Sequence, residues 1–135
     1  MPRSVVPRLL VAGLAAATVA ALPAVALAGS GGGDDDDERE RHVTCSEGSR
    51  AELRAERDDG RLEVELEVDQ GRSGVRWSVV IRRNGSRVVS TRATTRGRSG
   101  SFEVERHISD SPGPDRITAR ARSASGEVCR ARVTI

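Results

Sequence analysis

From His42 onward apolar and polar positions alternate with a period of two, segment after segment. The clearest run, Arg61-Leu62-Glu63-Val64-Glu65-Leu66-Glu67-Val68, puts leucines and valines on one side and three glutamates on the other. A helix would scatter those glutamates around its axis. Ala51-Glu52-Leu53-Arg54-Ala55-Glu56-Arg57 alternates as well, and Asp58-Asp59-Gly60 is a turn that joins the two as a hairpin. Taken alone that first segment also suits a helix; its partner decides for a strand. Val75-Arg76-Trp77-Ser78-Val79-Val80-Ile81 is the third strand, entered through turn residues Gly71 to Gly74. Arg83-Asn84-Gly85-Ser86 is a strong hairpin signal, returning through Arg87-Val88-Val89-Ser90-Thr91. Its register stays open. A two-residue turn opposes Ile81 to Val88, and a bulged three-residue turn opposes Val79 to Val89. Three further strands follow, carried by Phe102-Glu103-Val104-Glu105, by Ile117 to Arg122 and by Val128 to Ile135. Ser99-Gly100, Pro112-Gly113-Pro114 and Ser125-Gly126 mark the turns ahead of them.

Seven short strands with turn signals every eight to twelve residues predict an all-β, antiparallel β-sandwich. Strand order, size and the single tryptophan on the third strand resemble an immunoglobulin-like or fibronectin type III domain, over roughly residues 43 to 135. Ile117-Thr118-Ala119-Arg120-Ala121 resembles that family's penultimate strand. Trp77 alternates in phase with Val75, Val79 and Ile81, which aims it into the core, as the resemblance also implies. Phe102 is core by the same phase with Val104. No other aromatic residue exists in the chain, so carbohydrate and single-strand nucleic-acid modules, which stack ligands on exposed rings, are disfavoured.

Upstream, Arg3 and Arg8 precede an apolar run from Leu9 to Leu22; Pro23 breaks it, and Ala26-Leu27-Ala28 offers small residues for cleavage. That tripartite pattern predicts a secretory signal peptide over residues 1–28. No cysteine directly follows the cut to take a lipid, and no twin-arginine pair is present. A retained membrane anchor is the alternative, and Pro23 with the cut site argues against it. Gly29 to Gly33 and the acidic run Asp34 to Glu38 predict a flexible, solvated tether over 29–41, leaving a sandwich domain over 42–135. The aspartate run lacks the alternating ligands and central glycine of a calcium loop. Cys45, at the start of the first strand, and Cys129, inside the last, are an even pair in an exported chain, most simply one disulfide. First and last strands can run side by side in a sandwich of the type resembled, which would let the two meet. Closing a loop of that length contributes roughly 4 kcal/mol. A redox pair or metal site is disfavoured, because there is no Cys-x-x-Cys and only His42 and His107 are at hand.

Composition changes the reading of charge. All 22 basic residues are arginine, the pattern expected of G+C-rich coding, which warns against reading each one as functional. Removing Arg3 and Arg8 leaves 20 arginines against 20 acidic residues, so the processed chain is formally neutral and specific nucleic-acid binding is not expected. Assigning strands to sheets by the resemblance then separates the charges. One sheet exposes Glu52, Glu56, Glu63, Glu65, Glu67, Glu103 and Glu105, relieved by Arg54. The other exposes Arg76, Arg82, Arg120, Arg122, Arg130 and Arg132. Those six arginines are the candidate binding residues, with the end loops Gln70 to Gly74, Arg96 to Ser101 and Ser109 to Asp115 as further candidates. Ordinary solubilising surface is the competing account. No nucleophile motif or acid–base constellation emerges, so no catalytic residue, cofactor or metal is assigned. The expectation is a secreted, non-catalytic module that recognises an extracellular protein or an anionic envelope component. The alternatives are a protease inhibitor presenting Pro112-Gly113-Pro114, or a structural sandwich that self-associates through an edge strand.

Overall fold

Alternation of that kind folds as antiparallel strands, each burying one face. The computed structural model describes residues 37–135; the expected signal peptide, 1–28, and residues 29–36 of the expected tether lie outside them. The strands are β1 (Glu38–Thr44), β2 (Arg50–Asp58), β3 (Arg61–Asp69), β4 (Arg76–Arg83), β5 (Ser86–Thr94), β6 (Ser101–Ser109), β7 (Arg116–Ser123) and β8 (Val128–Thr134). They form two four-stranded antiparallel sheets, ordered β1-β2-β3-β6 and β5-β4-β7-β8. The chain crosses between sheets after β3, β5 and β6, so the two layers are woven together rather than stacked as independent units.

The inward positions make one core. Leu53, Leu62, Val64, Leu66 and Val68 from the first sheet meet Trp77, Val79, Ile81, Ile117 and Ala121 from the second, and all are buried. Trp77 packs against Phe102 with ring centroids 5.9 Å apart, and its indole Nε1–H donates to Gln70 Oε1 at 3.3 Å. The disulfide joins Cys45 to Cys129, 84 residues apart in sequence, and both are buried. Cys45 sits in the turn after β1 rather than in a strand, with Cys129 in β8.

Two further details differ from the sequence reading. An eighth strand, β1, takes in Glu38 to Arg41, which the reading assigned to the tether. It pairs residue for residue with β2, from Glu38↔Glu56 to Thr44↔Arg50. Of its seven residues only Val43 is apolar, so its free energy comes from edge pairing and carries almost no hydrophobic signature. In the β4–β5 hairpin, Asn84 and Gly85 both have positive φ (48° and 87°), as a two-residue type I′ turn requires. A bulge next to Ile81/Arg82 then shifts the register, so that Ile81 opposes Val89 and Val88 is left exposed. Neither simple register alone describes it.

Candidate functional site

The outer face of the β5-β4-β7-β8 sheet collects the positive charge. β4 presents Arg76 and Arg82, β5 Arg87 and Arg92, β7 Arg116, Arg120 and Arg122, and β8 Arg130 and Arg132, all exposed. The other outward positions are Ser78, Val80, Val88, Ser90, Thr94, Thr118, Val128 and Thr134. Among the described residues no carboxylate shares the face. Among the described residues none of these nine arginines forms an ion pair, and only the Arg82 guanidinium makes a hydrogen bond, from Nη1 to Gly85 O at 3.3 Å. Pairing places like charges directly opposite one another at Arg120↔Arg130 and Arg82↔Arg87. Such cross-strand pairs repel unless an anion lies between them.

The six arginines expected from the sequence thus share one surface, with Arg87, Arg92 and Arg116 added. Arg41, which the sequence reading placed in the tether, is a fourth addition. On β1 it lies opposite buried Leu53, on the side that faces the other sheet, yet β1 is an edge strand and the arginine stays exposed. It bends the cationic surface around the β8 edge. Arg41, Arg82, Arg120, Arg130 and Arg132 surround a depression of about 720 Å³ whose apolar lining includes Val43 and Val80. The period-two phase of Arg39, Arg41 and Val43 was the available signal; a charged run beside the aspartates concealed it.

The opposite face is acidic and partly compensated. Successive cross-strand rows read His42–Glu52–Glu67–Glu103, then Glu40–Arg54–Glu65–Glu105, then Glu38–Glu56–Glu63–His107. Arg54 lies 3.6–3.8 Å from Glu38, Glu56 and Glu63. Loss of solvent and then the Glu103 charge push the Glu65 carboxyl above its ordinary range, with Arg54 pulling the other way. Three sets of side chains have ligand atoms within 4.8 Å of one another: Glu40 with His42 and Glu52, Glu63 with Glu105 and His107, and Glu65 with Glu103 and Glu105. Carboxylate and imidazole donors at that spacing suit a divalent cation, and exposed acidic sheets show such groupings commonly without one.

The expected end loops divide between the two ends. Gln70 N–H donates to Gly100 O and Gly71 N–H to Ser99 O, so the loops 70–74 and 96–101 pack together. Buried Thr95 ties them further, its Oγ1–H donating to Arg72 O at 2.6 Å while accepting from Val75 N–H at 2.9 Å. Beside them Glu127, 2 % exposed, accepts from Ser49 N–H (2.9 Å) and Ser49 Oγ–H (2.8 Å), clamping the turn next to the disulfide. The loop 109–115 lies at the far end. There Asp115, also 2 % exposed, takes both arms of Arg83 at 2.7 Å and Asn84 Nδ2–H at 2.8 Å. These bonds hold its carboxyl below the ordinary range and raise Arg83 above its own. Arg83 also donates to Ser109 O, and Asp115 exchanges two backbone bonds with Ile135. With its carboxylate buried and saturated, the Asp115–Arg83 pair is a structural clasp rather than an open site.

Among the described residues no helix is long and apolar enough to cross a membrane. No protein-family model and no curated protein matches the chain. Fold and surface chemistry define its class: an all-β, disulfide-bonded sandwich with oppositely charged faces.

Proposed function

We propose that this is an exported, non-catalytic binding module of immunoglobulin-like or fibronectin type III-like type, whose arginine face takes a polyanionic component of the cell envelope. One observation carries the reading: among the described residues, nine exposed arginines share a face with no carboxylate and no ion pair. On an ordinary solubilising surface both signs are interspersed. Here like charges stand opposite one another, and an anion threaded between the rows relieves that repulsion. The guanidinium fork suits phosphate or carboxylate groups bidentately. A repeating polyanion suits the surface better than a single small anion, because arginines recur along the strands and across them. The sheet order β5-β4-β7-β8, opposed by β2-β3-β6, supports the immunoglobulin-like reading, and the buried disulfide and apolar leader support export.

The test is equilibrium binding of inorganic polyphosphate across a salt series. Affinity should fall as a power of salt concentration, with an exponent set by the number of anionic groups neutralised. The triple substitution Arg120→Gln, Arg130→Gln, Arg132→Gln should weaken binding by at least about tenfold and flatten the salt dependence. Binding that ignores salt, or that survives the triple substitution unchanged, would remove the arginine face from the function.

A further inference from the structure

We propose that copies of this chain stack face to face, the acidic sheet of one against the arginine sheet of the next, in an open, salt-sensitive series. The inference uses the same arginine face as the polyanion reading, but its second surface and its ligand are different.

Three features support it. First, the faces share one lattice: strands in any sheet are about 4.8 Å apart, and same-face residues recur about every 6.8 Å along a strand. Arginines on one face and carboxylates on the other therefore come into reach in many places at once. Second, each face alone leaves like charges opposed, at Glu67↔Glu103 and Glu65↔Glu105 on one side and at Arg120↔Arg130 on the other. Contact between unlike faces offsets both repulsions together, whereas contact between like faces would add to them. Third, the two faces lie on opposite sides of the sandwich, belonging to different sheets. A contact joining two different surfaces that point in opposite directions is heterologous and does not close on itself. The product is a growing stack, not a dimer.

Magnitude sets the strength. A four-stranded face is about 19 Å across and about 25 Å along the strands, or on the order of 500 Å². That is less than the roughly 800 Å² per partner of a stable specific interface. Association is therefore weak and governed by screening, favoured where the Debye length is about 30 Å at 0.01 M salt and suppressed where it is 8–10 Å.

Sedimentation velocity on disulfide-bonded protein, recovered from cells expressing the full chain, tests this. At about 10 mM ionic strength the weight-average sedimentation coefficient should climb with concentration without levelling at a dimer, and at about 300 mM it should stay at the monomer value. Glu67→Gln, Glu103→Gln and Glu105→Gln together, which keep the Arg54–Glu65 cross-strand pair, should abolish the climb. That variant removes like-charge opposition, so it should melt no lower than the parent, which separates lost contact from lost folding. It keeps every arginine, so its polyphosphate affinity should be unchanged, and the two readings fail separately. In a charge-exchange arm, Arg120→Glu/Arg130→Glu and Glu67→Arg/Glu105→Arg should each remain monomeric alone and associate when mixed. A monomer at every low-salt concentration, a plateau at dimer, or association that persists in the glutamine variant overturns the stack.

Discussion

Asp115 shows what one residue can decide. Its carboxylate is buried at the far end of the sandwich and held by Arg83 and Asn84, residues more than thirty positions away. Arg83 lowers its pKa, so the clasp contributes stability above the carboxylate's unfolded value near ~4 and loses it as pH falls through the folded value. Asp115→Asn leaves the guanidinium with only the more distant Asp110, 4.0 Å away, and should cost about 2 kcal/mol at pH 7. Urea unfolding at pH 7 and again near pH 2 checks the sign: the gap between parent and variant should narrow in acid. A gap that is constant or widens would mean the carboxylate's charge is not what holds the clasp. Neither the burial nor the partner was legible beforehand, since Asp115 follows Pro112-Gly113-Pro114 and reads as one more loop acid.

Among the elements, the strands announced by strong alternation stand where the pattern put them, with small changes at their ends. β3 is the plainest case, because every second residue from Leu62 to Val68 is buried. β1 was invisible for the converse reason: its charged residues sit at an edge, where backbone pairing with β2 decides and burial hardly contributes. Loops depend on closer detail still. Gly100 has φ +63°, and a Cβ there would lie 2.2 Å from the backbone nitrogen of Arg72 in the facing loop. Gly113 has φ +92° with open space around it. Gly100→Ala should therefore cost about 3 kcal/mol, from backbone strain and collision together, whereas Gly113→Ala bears the strain alone at about 1 kcal/mol. Thermal melts of the two variants decide it, and equal losses would show that the loops 70–74 and 96–101 do not pack as described.

At the scale of the whole molecule, a long covalent loop and a separation of charge distinguish this sandwich. The Cys45–Cys129 bridge spans 84 residues, and chain entropy assigns such a closure about 4 kcal/mol. Cys45→Ser/Cys129→Ser should lower the unfolding free energy by that amount, and the reduced parent should match it in urea. A difference of less than about 1 kcal/mol would mean that residual structure in the unfolded chain, or strain in the folded bridge, offsets the loop-closure contribution. The charge separation follows from sheet membership. Most strands carry an outer face dominated by one sign, β2 with Arg50 and Arg54 among its acids being the exception, and the order β1-β2-β3-β6 against β5-β4-β7-β8 assembles those strands into an acidic and a basic surface.

The sequence by itself determined strand character, the inward residues, the sign of charge on each outer face and the two available cysteines. All of these are properties of neighbours in the chain, where a period of two links position to direction. The tertiary structure decided what that period cannot encode: the added strand β1, the bulge that sets Val89 opposite Ile81, and the turn of Arg41 onto the arginine depression. It also decided the Asp115 and Glu127 clasps, whose partners are 31 to 78 residues away. Such contacts form only when the sheets close on one another, and no local pattern in the chain marks them in advance.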